Sequence, residues 1–459
     1  MTRFGAASVA CLLLAACVDG ADDDAALSPR LPVATPTTAD VRVIGLVGSM
    51  SGDDAWRGED AFEGADLAVH IMNRGVEEGR PPFQLVTLDD EGDPATATTL
   101  VQRLAGDERT VGIVYAGPAE ALPAAERALT LAGIPAVLCY GDLYSARLLR
   151  PHLFQVSPPF LWQARTMARY IGRDRRYERV GVVTERTFNA DVAVTSLRSA
   201  FDEADIAPRV IVKVPRDRRD RRAPAIRGLA RVELARLRSR RVEAVVVHGP
   251  PRFIAEVAAG IRAAETARWT PQVIAFDLAI APNAPSLPIG TAATDAYSRG
   301  VHFLPIPSFE RFRDRFRDWW DGDEPLGWEV RAYDAASMIG WASQRTPAGS
   351  DVAAALELLQ GARFGGLDVT FGPDDHTAVE QQAVGLWVRP RPAFDRLVPA
   401  AELPWLPLAR GFSIDGARTA ILNRDWRYLF RNPPPPEAPA PRVGRMRYAV
   451  DSARSDPIH

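Results

Sequence analysis

Along this chain, apolar residues fall into short, nearly continuous runs, each followed by a stretch whose apolar positions recur every three or four residues. Val41, Val43, Ile44, Leu46 and Val47 form the first run, the pattern of a strand covered on both faces. Ala61, Phe62, Ala65, Ala68, Val69 and Met72 then lay one apolar stripe along a helix, with the polar, glycine-rich residues 48–58 as the loop between them. The plan repeats. Residues 83–88, 111–115 and 134–140 predict further buried strands, Asp93 and Pro94 mark a helix start as N-cap and first helical position, and another helix is predicted over 118–131. Ser157, Pro158 and Pro159 form a stiff extended segment suited to a crossing between lobes. Strands at 180–184, 210–214, 242–247 and 273–276, with a helix over 190–204, give a second series. The helices around 309–320 and 330–341, with strands at 301–304, 367–371 and 384–388, follow it. At 459 residues the chain exceeds what one core organises, so the predicted class is α/β, with two Rossmann-like lobes built on parallel sheets.

In open parallel sheets, ligands bind beyond the carboxyl ends of the strands. Those ends supply Ser49, Ser51 and Trp56, then Tyr115, Gly117 and Pro118, then Tyr140, Gly141 and Asp142 from the first series. The second series supplies Phe188, Asn189, His248 and Asp277. Aromatic walls with a few polar groups suit a small solute, and a helix start near Pro118 would offer free backbone N–H groups to a carboxylate. Trp56 and Phe188 fit either a cleft lining or loop packing, and Asp142 and Asp277 fit either ligand contacts or helix caps.

Net charge of -3 at pH 7 gives no reason to expect a nucleic-acid surface. The arginine-rich residues 216–241 are interrupted by Asp217, Asp220 and Glu233 and keep an apolar side at Leu229, Val232 and Leu237, which reads as a solvated helix face. Lys213, the single lysine, lies in a strand-like run, so no phosphate-binding loop is present. The acids at 89–93 lack the spacing of a calcium loop, and no cysteine–histidine or H-E-x-x-H metal spacing occurs. In G-S-M-S-G the serines take the second and fourth places, where a nucleophile elbow needs the third. A binding protein without cofactor or metal is therefore expected over an enzyme.

Arg3, the apolar run 6–16 and the sequence Leu14, Ala15, Ala16, Cys17 read as a cleaved targeting segment, too short to span a bilayer. Residues 18–40, rich in Asp and then in Ala, Pro and Thr, read as a flexible tether, and residues 433–441 as a polyproline-like spacer before a basic tail. With Cys11 lost with the segment and Cys139 at the end of an apolar strand, no internal disulfide is expected.

The strand ending in G-S-M-S-G, the helix carrying F-E-G-A and the later D-D-E-G-D-P-A-T-A together resemble the type I periplasmic binding proteins, specifically the branched-chain amino-acid-binding (Leu/Ile/Val) receptors of ABC transporters, over residues 41–390. The resemblance implies two lobes joined by a three-crossing hinge, with residues 41–157 and 279–365 in the N-terminal lobe and 158–278 and 366–390 in the C-terminal lobe. Residues 391–432 form an extension and 433–459 a tail. Residues 14–17 resemble a bacterial lipoprotein box, which implies a signal peptide over 1–16, lipidation at Cys17 and a tether over 17–40. It further implies an extracytoplasmic, membrane-anchored receptor that closes on an amino-acid-like or polar solute, with ABC permease subunits as partners. Relatives hold the ligand carboxylate from loops matching 117–119 and 140–142 and the ammonium from an acid near Asp277. This chain lacks their serine and threonine pairs and carries Phe188 where tyrosine is usual. The alternative is the same fold acting as a regulator or sensor docked on a cell-envelope protein such as a cell-wall synthase.

Overall fold

The computed structural model describes residues 41–51, 54–75, 81–143, 150–214, 225–249, 251–264, 266, 268–276, 299–303, 307–322, 325, 329–347, 351–378, 384–388 and 398–399. Cys17, the tether, Asp277 and nearly all of the region after residue 390 lie outside them.

The apolar runs of the first series become β1 (Arg42–Gly48), β2 (Phe83–Asp89), β3 (Thr110–Ala116), β4 (Ala136–Leu138) and β5 (Leu153–Gln155). They pair in parallel in the order β2-β1-β3-β4-β5. Parallel neighbours need crossovers, which α1 (Ala55–Arg74), α2 (Pro94–Ala105) and α3 (Leu122–Ala132) supply. Asp93 caps α2 by accepting the Thr96 N–H at 2.8 Å, with Pro94 behind it. The helix expected from Pro118 opens instead as a 3₁₀ turn (Ala119–Ala121), and the α-helix begins at Leu122.

The second series builds β6 (Val180–Glu185), β7 (Pro208–Val214), β8 (Ala244–His248), β9 (Gln272–Ala275) and β10 (Arg299–Phe303). Helices α4 (Phe160–Arg169), α5 (Phe188–Glu203), α6 (Ala225–Ser239) and α7 (Pro251–Ala264) accompany it. On α6 the expected apolar side is only partly realised, since Leu237 is buried and Val232 is exposed. The chain continues as α8 (Pro307–Trp319), α9 (Glu329–Arg345), α10 (Val352–Leu356), a hairpin of β11 (Ala362–Arg363) and β12 (Asp368–Val369), then β13 (Val384–Val388) and β14 (Val398–Pro399). The second sheet runs β14-β13-β10-β9-β8-β6-β7, with β13 and β14 antiparallel.

Two lobe assignments made from the sequence change. Residues 299–303 were expected in the first lobe, yet β10 pairs with β9 and β13 in the second sheet, so the chain returns only after Phe303. Its return is fixed by α8, where Trp319 Nε1 donates to Asp66 of α1 at 3.1 Å and Trp320 Nε1 to the Glu63 carbonyl at 3.3 Å. Residues 366–378 were expected in the second lobe and instead stay with the first. The buried Asp334 carboxylate on α9 accepts N–H bonds from Gly365 and Gly366, Phe371 packs edge-on to Phe154 at 5.0 Å, and Thr377 pairs in parallel with Gln155 beside β5. Burial pushes the Asp334 carboxyl up to about 7. One apolar core extends from Ile44 and Val114 in the first lobe to Val182 and Val246 in the second.

Candidate functional site

The first-lobe strand ends are wired to one another. Ser49 is buried and its hydroxyl donates to Asp90 Oδ1 at 2.9 Å, while the Met50 N–H donates to Asp89 Oδ1 at 2.8 Å. Tyr115, also buried, donates its hydroxyl to the Pro118 carbonyl at 2.7 Å. The polar atoms of Ser49 and Tyr115 are thereby spent on the loops themselves. Asp142 accepts the Phe160 N–H, the first of α4, at 2.7 Å, so it serves as a cap reaching across to the second lobe. Ser157 Oγ donates to the Gly141 carbonyl, and the Gln155 side chain joins the Leu143 N–H to the Ser157 carbonyl. Ser51 is exposed.

Trp56, in the first turn of α1, stands edge-on to buried Tyr140 at 5.7 Å. Burial holds the Tyr140 phenol well above its ordinary pKa, so it is neutral. The backbone below is fixed by Arg331 of α9, fully buried, whose guanidinium donates to the Cys139 carbonyl at 3.4 Å. Burial pushes the Cys139 thiol up to about 12, leaving it unreactive. Gly117 faces Asp90 closely, since a Cβ there would fall 2.1 Å from Asp90 Oδ2. Gly141 adopts φ 92°, and a Cβ on it would lie 2.9 Å from Asn189 Nδ2, which brings the two lobes into contact.

The second-lobe strand ends are bonded less completely. Thr187 caps α5 by accepting the Ala190 N–H at 3.2 Å, which presents Phe188, 44% exposed, at the first helical position. Asn189 Oδ1 is buried with no hydrogen-bond partner. His248 ends β8 with 2% exposure, edge-on to Phe160 at 4.9 Å and Phe276 at 5.0 Å, and neither ring nitrogen has a hydrogen-bond partner. Burial first, and the Arg57 charge second, lower its pKa to about 3.

Two groups unforeseen in the sequence complete the arrangement. Arg57, next to Trp56, lies over the indole at 5.5 Å, and its charge reaches both Asp90 in the first lobe and His248 in the second. Asp90, expected only as a turn acid, is fully buried with Oδ2 unbonded, and burial raises its pKa to about 6 against the pull of the Gly92 N–H and Ser49. The arrangement thus joins Trp56, Tyr140, Gly141, Asn189 and His248 of the expected set, adds Arg57 and Asp90, and uses the side chains of Ser49, Tyr115 and Asp142 in structural bonds, with Phe188 preceding Asn189 in the first turn of α5.

Residues 43–388 match the family model described as periplasmic binding protein. The chain belongs to the periplasmic binding protein family. Similar solved structures include a type 1 periplasmic binding protein from Bordetella pertussis Tohama I, 17% identical, with TM-score 0.66 over 78% of this chain and 100% of that one. A leucine-binding protein, LivK, from Thermotoga maritima is 18% identical, with TM-score 0.64 over 78% and 97%. The LivJ branched-chain amino acid transporter substrate-binding protein from Streptococcus pneumoniae, in complex with isoleucine, is 18% identical, with TM-score 0.62 over 76% and 95%. Among curated proteins, none matches the chain. The two-lobed parallel α/β architecture of the type I periplasmic binding proteins is therefore that of this chain. The family consists of extracytoplasmic solute-binding proteins. No helix among the described residues is long and apolar enough to cross a membrane.

For this periplasmic binding protein, one sequence signal could have marked Arg57. A cation in the first turn of a helix opposes the helix dipole, so its presence there asks for a partner beyond the helix. Asp90 carried no comparable mark, because its burial depends on Gly117 and the β2–α2 turn closing over it.

Proposed function

We propose that this protein is the substrate-binding component of an ABC transporter, closing its two lobes on a small amino-acid-like or polar organic solute and held at the membrane by a lipid on Cys17. The observation that carries the reading is the meeting of incompletely bonded polar groups from both lobes, Arg57 and Asp90 on one side and Asn189 and His248 on the other, beside Trp56. Buried polar atoms are nearly always bonded in native proteins, so such a group at facing strand ends suits a bridging solute. A solute that touches both lobes favours the closed form by its differential affinity and presents that form to the permease. The structural neighbours named for leucine or isoleucine support an amino-acid-like ligand. The chemistry is binding, with no reaction step.

A melting screen of the full chain in detergent, against amino acids, amides, small peptides, sugars and organic acids, tests the reading. A solute at a hundred times its dissociation constant adds about 2.7 kcal/mol, a shift of several degrees. A flat panel from folded protein freed of carried-over solute contradicts it and favours docking on a cell-envelope protein. Radiolabelled palmitate incorporation that survives Cys17→Ser contradicts the lipid at that residue.

A further inference from the structure

The guanidinium of Arg57 is a cation beside Trp56 and near both Asp90 and His248, and no described residue pairs with it. It makes no hydrogen bond and no ion pair among the described residues, and its Nε is buried without an acceptor. Asp90 is near enough to feel its charge yet makes no ion pair with it; Asp90 Oδ1 is taken by Ser49 and the Gly92 N–H, and Oδ2 is buried without a hydrogen-bond partner. Across the lobes, His248 is neutral, so one ring nitrogen is a donor and the other an acceptor, both unbonded. Arginine carries only donors, in a planar fork that matches a carboxylate. The hydroxyls of Ser49 and Tyr115 donate to Asp90 and to the Pro118 carbonyl.

We propose that Arg57 determines specificity by receiving a carboxylate of the solute between the lobes, with a His248 ring N–H as second donor and Trp56 and Phe188 covering the apolar body beside it. The ligand class is accordingly a small organic acid, with or without an amino group. This inference rests on the solute-receptor reading above and adds to it the charge of the ligand. A neutral sugar or amide would leave the Arg57 fork desolvated and unpaired on closure, which costs more than it returns. Lysine at the position would keep the charge and lose the fork.

The test is calorimetric titration of the full chain with matched acids and carboxamides: 4-methylpentanoate and 4-methylpentanamide, benzoate and benzamide, leucine and leucinamide. At least one acid is expected to bind, with its amide weaker by about 30-fold or more, as removal of one partner of a buried charge pair implies. Arg57→Gln should lose most of that preference and Arg57→Lys part of it, with melting temperatures in the absence of solute recorded alongside. If Arg57→Gln does not fold, the acid–amide ratio of the unaltered chain and the Lys variant still decide the matter. Binding confined to the amides, or an acid preference that survives both substitutions, overturns the role of Arg57 and leaves the receptor reading standing. Absence of binding by every acid and amide, together with a flat melting screen, removes the receptor reading and this inference with it.

Discussion

The rims of the two lobes are built from the same kind of segment, the loop after a parallel strand, and they spend their polar groups differently. In the first lobe, Ser49 is tied to Asp90, Tyr115 to Pro118, Ser157 to Gly141 and Asp142 to the start of α4. In the second, Asn189 Oδ1 and both His248 nitrogens have no hydrogen-bond partner, and Phe188 stands partly in solvent. A rim whose donors and acceptors satisfy one another is a rigid frame, while a rim that leaves them unmet is arranged for something outside itself. Arg57 Nε and Asp90 Oδ2 are two described atoms at which the first lobe departs from that pattern.

The difference is sharpest in its expected response to pH. Asp90 keeps its proton in the folded state up to about 6, whereas the unfolded chain releases it near 3.8. The folded state therefore holds the extra proton, and the native chain should lose about 2 kcal/mol of stability relative to Asp90→Asn as pH rises from about 4 to 6. His248 runs the other way. The unfolded ring takes up a proton below 6.5 that the folded ring refuses until about 3, so stability relative to His248→Phe should fall as pH drops, by about 3 kcal/mol at pH 4. Urea unfolding of the three chains across pH 4 to 7 reads both slopes, and parallel slopes would erase the contrast.

Asp142→Ala should cost about 2 kcal/mol, because the Phe160 N–H is left buried without an acceptor. Denaturant midpoints at pH 7 check this, and an unchanged midpoint would show that the cap is dispensable. Tyr115→Phe should cost about 1 kcal/mol, for one lost bond to the Pro118 carbonyl. Phe188→Ala should stay within about 0.5 kcal/mol, since its ring is 44% exposed, and a larger loss would show the ring to be part of the core.

Much of this frame was legible beforehand. The runs at Val43–Val47 and 180–184 could only be strands covered on both faces, and the Asp93-Pro94 cap needed nothing beyond local chemistry. The lobe of β10 was not legible, because so short a strand, Arg299–Phe303, carries no mark of either sheet and its partner β13 begins only at Val384. The turn at Gly365 and Gly366 was hidden for a related reason, as it depends on Asp334 being buried beneath it. At the rim, residue type placed the loops at the strand ends but not the bonds made within them. Ser49 and Tyr115 look like ligand contacts until the short bonds to Asp90 and Pro118 take their hydroxyls. Arg57 was passed over because its meaning comes from what it lacks, an acceptor, which only the packed lobes reveal.

The most direct measurement compares affinity and stability in the same samples, using whichever solute first raises the melting temperature of the full chain. Titrating that solute into the native chain, Tyr115→Phe, Phe188→Ala and Asn189→Ala should divide the variants cleanly. Tyr115→Phe should melt lower and bind as the native chain does, while Phe188→Ala and Asn189→Ala should melt within about 2 °C of it and bind about tenfold or more weakly. Affinity lost in Tyr115→Phe and kept in both second-lobe variants would contradict the division of the rims into frame and receiver.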